Sequence, residues 1–234
     1  MRLKIYQINS ERDKDRVKFQ GLEDIKRLQD ADSVDPSLYD EVLDAEVDEM
    51  TLEGVFQRFN TEGHPLFRGH SLSVSDVIVI DNADESIEDG AYFCDSIGFK
   101  RIDFDEALTN KPDNLMRIVY VEPHRAPYVS EIEHSLKSEQ RAVKGLIEVI
   151  DNGDGTCIVS NDEAKLIGMD GNRRIWDGSV IIAGPFFVCG DAGEEFRGLT
   201  DEEVTRYMDR FAEVENISPE EVEADTGFII YPIN

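Results

Sequence analysis

Apolar and polar positions fall into short runs with two periods, about 3.6 residues and about 2. Leu3–Ile8 reads as a strand. Gly21–Gln29 reads as a short helix with Leu22, Ile25 and Leu28 on one side. Tyr39–Val47 alternates apolar and acidic residues, as a half-exposed strand does. Leu52, Val55, Phe56 and Phe59 follow i, i+3, i+4, i+7 spacing, which predicts an amphipathic helix over Thr51–Asn60. Val77–Ile80 is a fully apolar strand. Ala91–Cys94 and Phe99–Ile102 form a ribbon turning at Gly98.

The polar, proline-containing stretch from Thr109 to Asn114 reads as a linker. Beyond it the pattern resumes. Ile118–Val121 is a strand, and Glu139–Gly145 is a short helix. Leu146–Ile150 and Cys157–Val159 make a hairpin around Asn152-Gly153-Asp154-Gly155. A helix over Asp162–Ile167 is capped by Asn161. Val180–Ala183 and Phe186–Cys189 are buried strands. Thr200-Asp201-Glu202-Glu203 fits a capping box, opening a helix with a stripe of Val204, Tyr207, Met208 and Phe211. Ser218-Pro219-Glu220-Glu221 caps one more turn. The opening strand after Met1-Arg2 and the strand after Met116-Arg117 look alike, which points to two domains. The expected fold class is α+β: two small mixed α/β domains, each a short sheet with a few amphipathic helices. The domains span 1–108 and 116–212, followed by an acidic tail, 213–234, with an apolar end.

Composition narrows the function. Of 234 residues, 40% are hydrophobic, enough for a core. Lys and Arg total 24 against 51 Asp and Glu, a formal net charge of −27. That disfavours binding nucleic acid or an anionic membrane, because both begin by neutralising phosphate. The longest mostly apolar stretch, Ser179 to Gly190, contains Pro185 and is too short for the roughly 20 residues of a membrane span. The amino-terminal residues turn polar at Gln7 and show no signal-peptide core. Three widely spaced cysteines, Cys94, Cys157 and Cys189, argue against a disulfide framework and for a reducing cytoplasm.

Gly69-His70-Ser71-Leu72-Ser73-Val74-Ser75-Asp76-Val77, followed by Tyr92-Phe93-Cys94-Asp95-Ser96-Ile97-Gly98-Phe99, resembles the YodL-like domain over about residues 1–105. The second half resembles a bacterial domain-of-unknown-function family that often follows YodL-like domains, over about 116–212. The matching features are Val119-Tyr120-Val121-Glu122-Pro123, Pro127-Tyr128-Val129, the stretch from Cys157 through Asn161 and Asp162 to Lys165, and Ile182-Ala183-Gly184-Pro185-Phe186-Phe187-Val188. The resemblance implies an accessory protein of conjugative elements or phages, in a setting that includes antirestriction genes. It carries over no catalytic residue. Cys94 departs from the family's usual apolar β-branched residue, which bears on packing only.

The residues offer no convincing catalytic set. His70 beside Ser71, Ser73, Ser75 and Asp76 invites a triad, but no nucleophile elbow is present. The same residues suit a turn that caps a strand. No CxxC or HxxxH occurs, and Asp151–Thr156 fails the calcium-loop pattern, so no metal or cofactor is expected. Asp170-Gly171-Asn172-Arg173-Arg174 reads as a solvated polar loop. The charge remains. Ten acids and no base lie between Arg27 and Arg58, seven acids and no base between Arg68 and Lys100, and six acids follow Arg210. Solubility alone is one explanation of that acidity.

The sharper expectation is a non-enzymatic DNA mimic, binding a basic host protein such as a restriction or CRISPR-type nuclease. Its surface would comprise Asp35, Asp40, Glu41, Asp44, Glu46, Asp48, Glu49, Glu53, Asp81, Asp84, Glu85, Glu88 and Asp89. Asp40, Asp44, Glu46 and Asp48 would share one strand face at about 6.6 Å spacing. The alternative is an adaptor or regulator of conjugative transfer. It would bind through an apolar groove, through the edge near Tyr128, or through Phe228, Ile229, Ile230, Tyr231 and Ile233.

Overall fold

The computed structural model describes residues 1–48, 50–83, 87–193 and 195–226. The chain divides into two compact units, Met1–Asp113 and Asn114–Asn234. The chain is thus α+β, with a separate sheet in each unit. No helix among the described residues is long and apolar enough to cross a membrane.

The first unit contains β1 (Arg2–Ile8), α1 (Leu22–Gln29), β2 (Tyr39–Glu46), α2 (Leu52–Thr61), β3 (Val77–Asp81), β4 (Gly90–Cys94) and β5 (Phe99–Ile102). They form an antiparallel sheet in the order β2-β1-β3-β4-β5. Strand alternation sends Tyr6, Ile8, Val77, Val79 and Phe93 to one face. There they bury against Val17, Leu22, Ile25, Val34 and Tyr39. Leu3, Ile5, Leu43, Ile78 and Ile80 point the other way and are equally buried. The segment from α2 to Leu72 supplies buried Val55, Phe59, Leu66 and Leu72. Leu28, expected on the inner side of α1, is 50% exposed, whereas Leu22 and Ile25, nearer the start of the helix, are buried.

β2 is not a uniform alternation. Ile5 pairs with Leu43 but Tyr6 pairs with Glu41, so Val42 is an extra, unpaired residue. This β-bulge shifts the side-chain phase by one. Asp44 and Glu46 lie on the face of Lys4 and Arg2, whereas Asp40 lies opposite, on the face of Gln7. The expectation that Asp40 shares a face with Asp44 and Glu46 is therefore corrected.

The second unit contains β6 (Leu115–Val121), β7 (Tyr128–Glu133), α3 (Leu136–Ala142), β8 (Ile147–Asp151), β9 (Thr156–Asn161), β10 (Gly171–Ile175), β11 (Val180–Ala183), β12 (Phe186–Asp191), β13 (Phe196–Arg197), α4 (Asp201–Arg210) and α5 (Pro219–Asp225). Its main sheet runs β7-β6-β12-β9-β8, with β13 also on β12, while β10 and β11 pair separately. Val119, Val121, Ile158, Phe186 and Val188 pack with Ile175, Ile182, Val204, Tyr207 and Phe211. The Thr200–Glu203 capping box forms as read from the sequence.

Three local readings are corrected. The helix α3 starts at its Ser135 cap, earlier than Glu139. Asp162–Ile167 is a run of turns rather than a helix, although Asn161 does cap it: its Oδ1 accepts the Glu163 N–H at 2.8 Å while its Nδ2 donates to the Val143 and Lys144 carbonyls. Asp170–Arg174 is no solvated loop. It leads into β10, where Arg173 is 1% exposed. In the tail, Ile217 and Val222 bury against Ala164, Ile181 and Ala183, so these two residues anchor it to the second unit. The apolar end from Phe228 onward lies outside the described residues.

Candidate functional site

Gln7, at the end of β1, organises the Gly69–Asp76 segment. It is 4% exposed. Its Oε1 accepts the His70 N–H at 3.0 Å, and its Nε2 donates to the His70 carbonyl and to Asp76 Oδ2, each at 2.8 Å. A Cβ on Gly69 would collide with this carboxamide. Asp76 is fully buried. Its Oδ2 also accepts the Ser73 N–H, and its Oδ1 has no hydrogen-bond partner. Burial pushes its carboxyl from 3.8 up to about 7, against the lowering effect of the Ser73 N–H and Gln7.

Ser75 adopts a left-handed φ of 80°. Its hydroxyl accepts the Phe19 N–H, its carbonyl accepts the Tyr39 hydroxyl, and its N–H donates to the Cys94 carbonyl. Cys94 N–H in turn donates to the Asp76 carbonyl. Next to it, Asp95 caps α1 from another part of the chain. Its Oδ1 accepts the Leu22 and Ser96 N–H groups, and a Cβ on Gly21 would stand 2.8 Å from that oxygen. Despite some burial, hydrogen bonds from Lys100, Ser96 and Leu22 hold Asp95 below the usual carboxylate range. Gly98, at φ 69°, closes the β4–β5 turn.

Both quoted motifs thus meet in one hydrogen-bonded junction. It is not a nucleophilic triad. The His70 ring nitrogen Nδ1 faces the Ser71 carbonyl at 2.8 Å, and the Ser73 hydroxyl donates to that same carbonyl. Among the described residues, no group of three or more His, Cys, Asp or Glu side chains could hold a metal ion.

The acidic residues read as one surface are divided and largely matched by bases. Asp44 takes Arg2 at 2.5 Å, and Glu46 takes Arg2 at 3.9 Å. Asp40 binds Arg12 and Asn9, and Asp81 binds Lys4 at 3.3 Å. Glu88 binds Arg101, and Asp89 accepts the Asn82 and Ala83 N–H groups. Asp35 caps the turn at Pro36–Leu38, and Asp48 and Glu53 are exposed. Glu41 is not a surface residue. It is 4% exposed beneath Lys111, Arg68 and Tyr6, because the bulge turns it onto the Tyr6 face. Burial raises its carboxyl against the pull of Lys111. Glu49, Asp84 and Glu85 lie outside the described residues. In the second unit, Asp162 is exposed, and buried Asn161 fastens β9 to the end of α3. Runs free of bases in sequence therefore receive bases across the sheet.

This junction, from Gln7 to Gly98, falls inside one family. Residues 2–104 match the YodL-like domain. Residues 116–212 match a domain of unknown function, DUF3846. The order is the one the motifs suggested, with β1 to β5 in the YodL-like domain and β6 to α4 in DUF3846. Neither a curated protein nor a solved structure matches the chain.

In DUF3846 the sequence pattern misses two features. Arg173 is buried, and Glu215 is the carboxylate whose charge acts on it. Arg173 donates to the carbonyls of Phe211, Asn172 and Arg125 and so ties β10 to the end of α4. Trp176, at φ 48° in the β10–β11 turn, is 55% exposed. It borders a groove of about 320 Å³ with Ile150, Leu166 and Val180. The Tyr128 side chain is buried, and its strand, β7, stands at the end of the sheet.

Proposed function

We propose that this chain is a non-enzymatic accessory protein of a mobile element that binds a cationic host protein and blocks a DNA-binding defence nuclease. The observation that carries the reading is the net charge. If each of the 24 bases cancels one of the 51 acids, 51 − 24 leaves 27 carboxylates unmatched, however the pairs are drawn. Such a field accelerates encounter with a basic cleft and repels nucleic acid. The ion pairs refine the mechanism. Asp40, Asp44, Glu46, Asp81 and Glu88 already hold intramolecular cations, so the partner's Lys and Arg would have to displace them. The acidity then acts through its summed potential rather than as a phosphate-spaced stripe along β2.

The test is titration of purified restriction and CRISPR-type nucleases with the chain, at low and high salt, with DNA cleavage as the readout. Inhibition that weakens steeply with salt and is relieved by excess DNA supports the proposal. Absence of association with every DNA-binding protein at low salt overturns it. The adaptor reading draws on a separate observation: Leu166, Ile167 and Trp176 expose more than half their surface near the groove. It predicts binding that survives high salt and is lost in Trp176→Ala.

A further inference from the structure

β9 and β12 bring together two cysteines that stand 32 positions apart in sequence. Cys157 pairs directly with Cys189, and their sulfurs are 3.5 Å apart. Both residues are buried. The ladder sets their spacing. Asp191 N–H donates to the Gly155 carbonyl, two residues along each strand. By alternation, Cys157 and Cys189 are also a hydrogen-bonded pair, with Cα atoms about 5.5 Å apart. That separation is within the roughly 4.4–6.8 Å range of disulfides. Bond closure requires side-chain rotation and a small approach of the strands.

The surroundings distinguish the two thiols. The mutual hydrogen bond lowers Cys157, against its burial, and with burial raises Cys189, so Cys157 is the thiol of the pair that ionises more readily. Asp191 and Asp151 oppose negative charge on Cys157, and the Arg197 side chain, which lies over Gly190 next to Cys189, partly offsets them. Cys94, in the other unit, is buried with its thiol held protonated, mainly by desolvation.

We propose that Cys157 and Cys189 form a redox-active dithiol that closes to an intramolecular disulfide when hydrogen peroxide reaches it. The Cys157 thiolate attacks a peroxide oxygen. The O–O bond breaks, and the departing hydroxide takes back the proton that the Cys157 thiol released on ionising and leaves as water, giving a sulfenic acid on Cys157. Cys189 sulfur then attacks the Cys157 sulfur. The S–O bond breaks, and the oxygen leaves as a second water with the Cys189 proton. Two thiols lose two electrons, and hydrogen peroxide becomes two waters. Burial makes the reaction slow, since it waits on openings that admit the peroxide.

The experiment exposes the folded, reduced full chain to hydrogen peroxide, denatures it, alkylates the free thiols and maps the peptides. The expected result is loss of two of the three alkylatable thiols, a Cys157–Cys189 linked peptide, reversal by dithiothreitol, and Cys94 still alkylated. In Cys189→Ser the link disappears and dimedone captures a sulfenic acid on Cys157. Should that variant fail to fold, the wild-type peptide map alone decides. Three alkylated thiols after oxidation, or a link that forms between chains, through Cys94, or only after unfolding, overturns the proposal.

Discussion

Asp76 should give the YodL-like domain a stability that falls as pH rises through the acidic range. An unfolded Asp titrates near 3.8, and the buried one at about 7. Between those values the folded chain keeps a proton that the unfolded chain has lost. Stability is therefore full below pH 3.8 and declines until about pH 7. At about 1.36 kcal/mol per pH unit, the gap from 3.8 to about 7 amounts to about 4 kcal/mol. Asp76→Asn isolates this contribution. The amide oxygen can still accept from Gln7 and Ser73, and the amide nitrogen takes the place of the unpartnered Oδ1. Urea denaturation, with hydrogen exchange of β1 and β3 peptides to single out this unit, measures both proteins across the range. Asp76→Asn should gain on the wild type by up to about 4 kcal/mol between acid and neutral pH. A difference between the two that stays constant with pH would refute the reasoning, whatever the wild type does alone.

Gly69→Ala should lower the melting temperature of the first unit, because the new methyl expels the Gln7 carboxamide from Asp76 and His70, at about 1–3 kcal/mol. An unchanged melting temperature would contradict the junction. Arg173→Lys keeps the charge but cannot serve the carbonyls of Phe211, Asn172 and Arg125 together, and should destabilise DUF3846 by about 2 kcal/mol or more in urea denaturation. Glu203 is held at about 2 by Arg197 first, and also by the Thr200 N–H. The stability it contributes is complete above 4.5 and is lost as pH falls towards 2. In Glu203→Gln, acid titration followed by circular dichroism should show that part of the pH dependence removed.

Elements whose burial depends on their own spacing were legible from sequence. Val55 and Phe59 mark α2, and Thr200 with Glu203 marks the start of α4. Features that depend on what lies across a strand were not. Nothing in the order Tyr39–Glu46 announces that Val42 is unpaired, so the acids of β2 seemed to share one face. The polar run before Ile175 looked solvated because hydropathy cannot count carbonyls, and it is carbonyls that satisfy Arg173. Asn161 has a cap residue's chemistry, but only the fold shows its carboxamide tied to Val143 and Lys144. The junction motif was legible as a turn. Gln7, the residue that binds it, sits 63 positions before His70 and carries no local signature.

The bulge at Val42 also bears on how this domain can vary in length. A β2 one residue shorter, lacking Val42, keeps Tyr39, Glu41, Asp44 and Glu46 in their present pairings. What it removes is the Val42 carbonyl that receives the Arg68 N–H at 2.8 Å, beside the Glu41 carbonyl that receives the Arg68 guanidinium. A deletion at this point should therefore cost the backbone bond that ties the segment at Arg68 to β2, while the rest of the strand keeps its pairing.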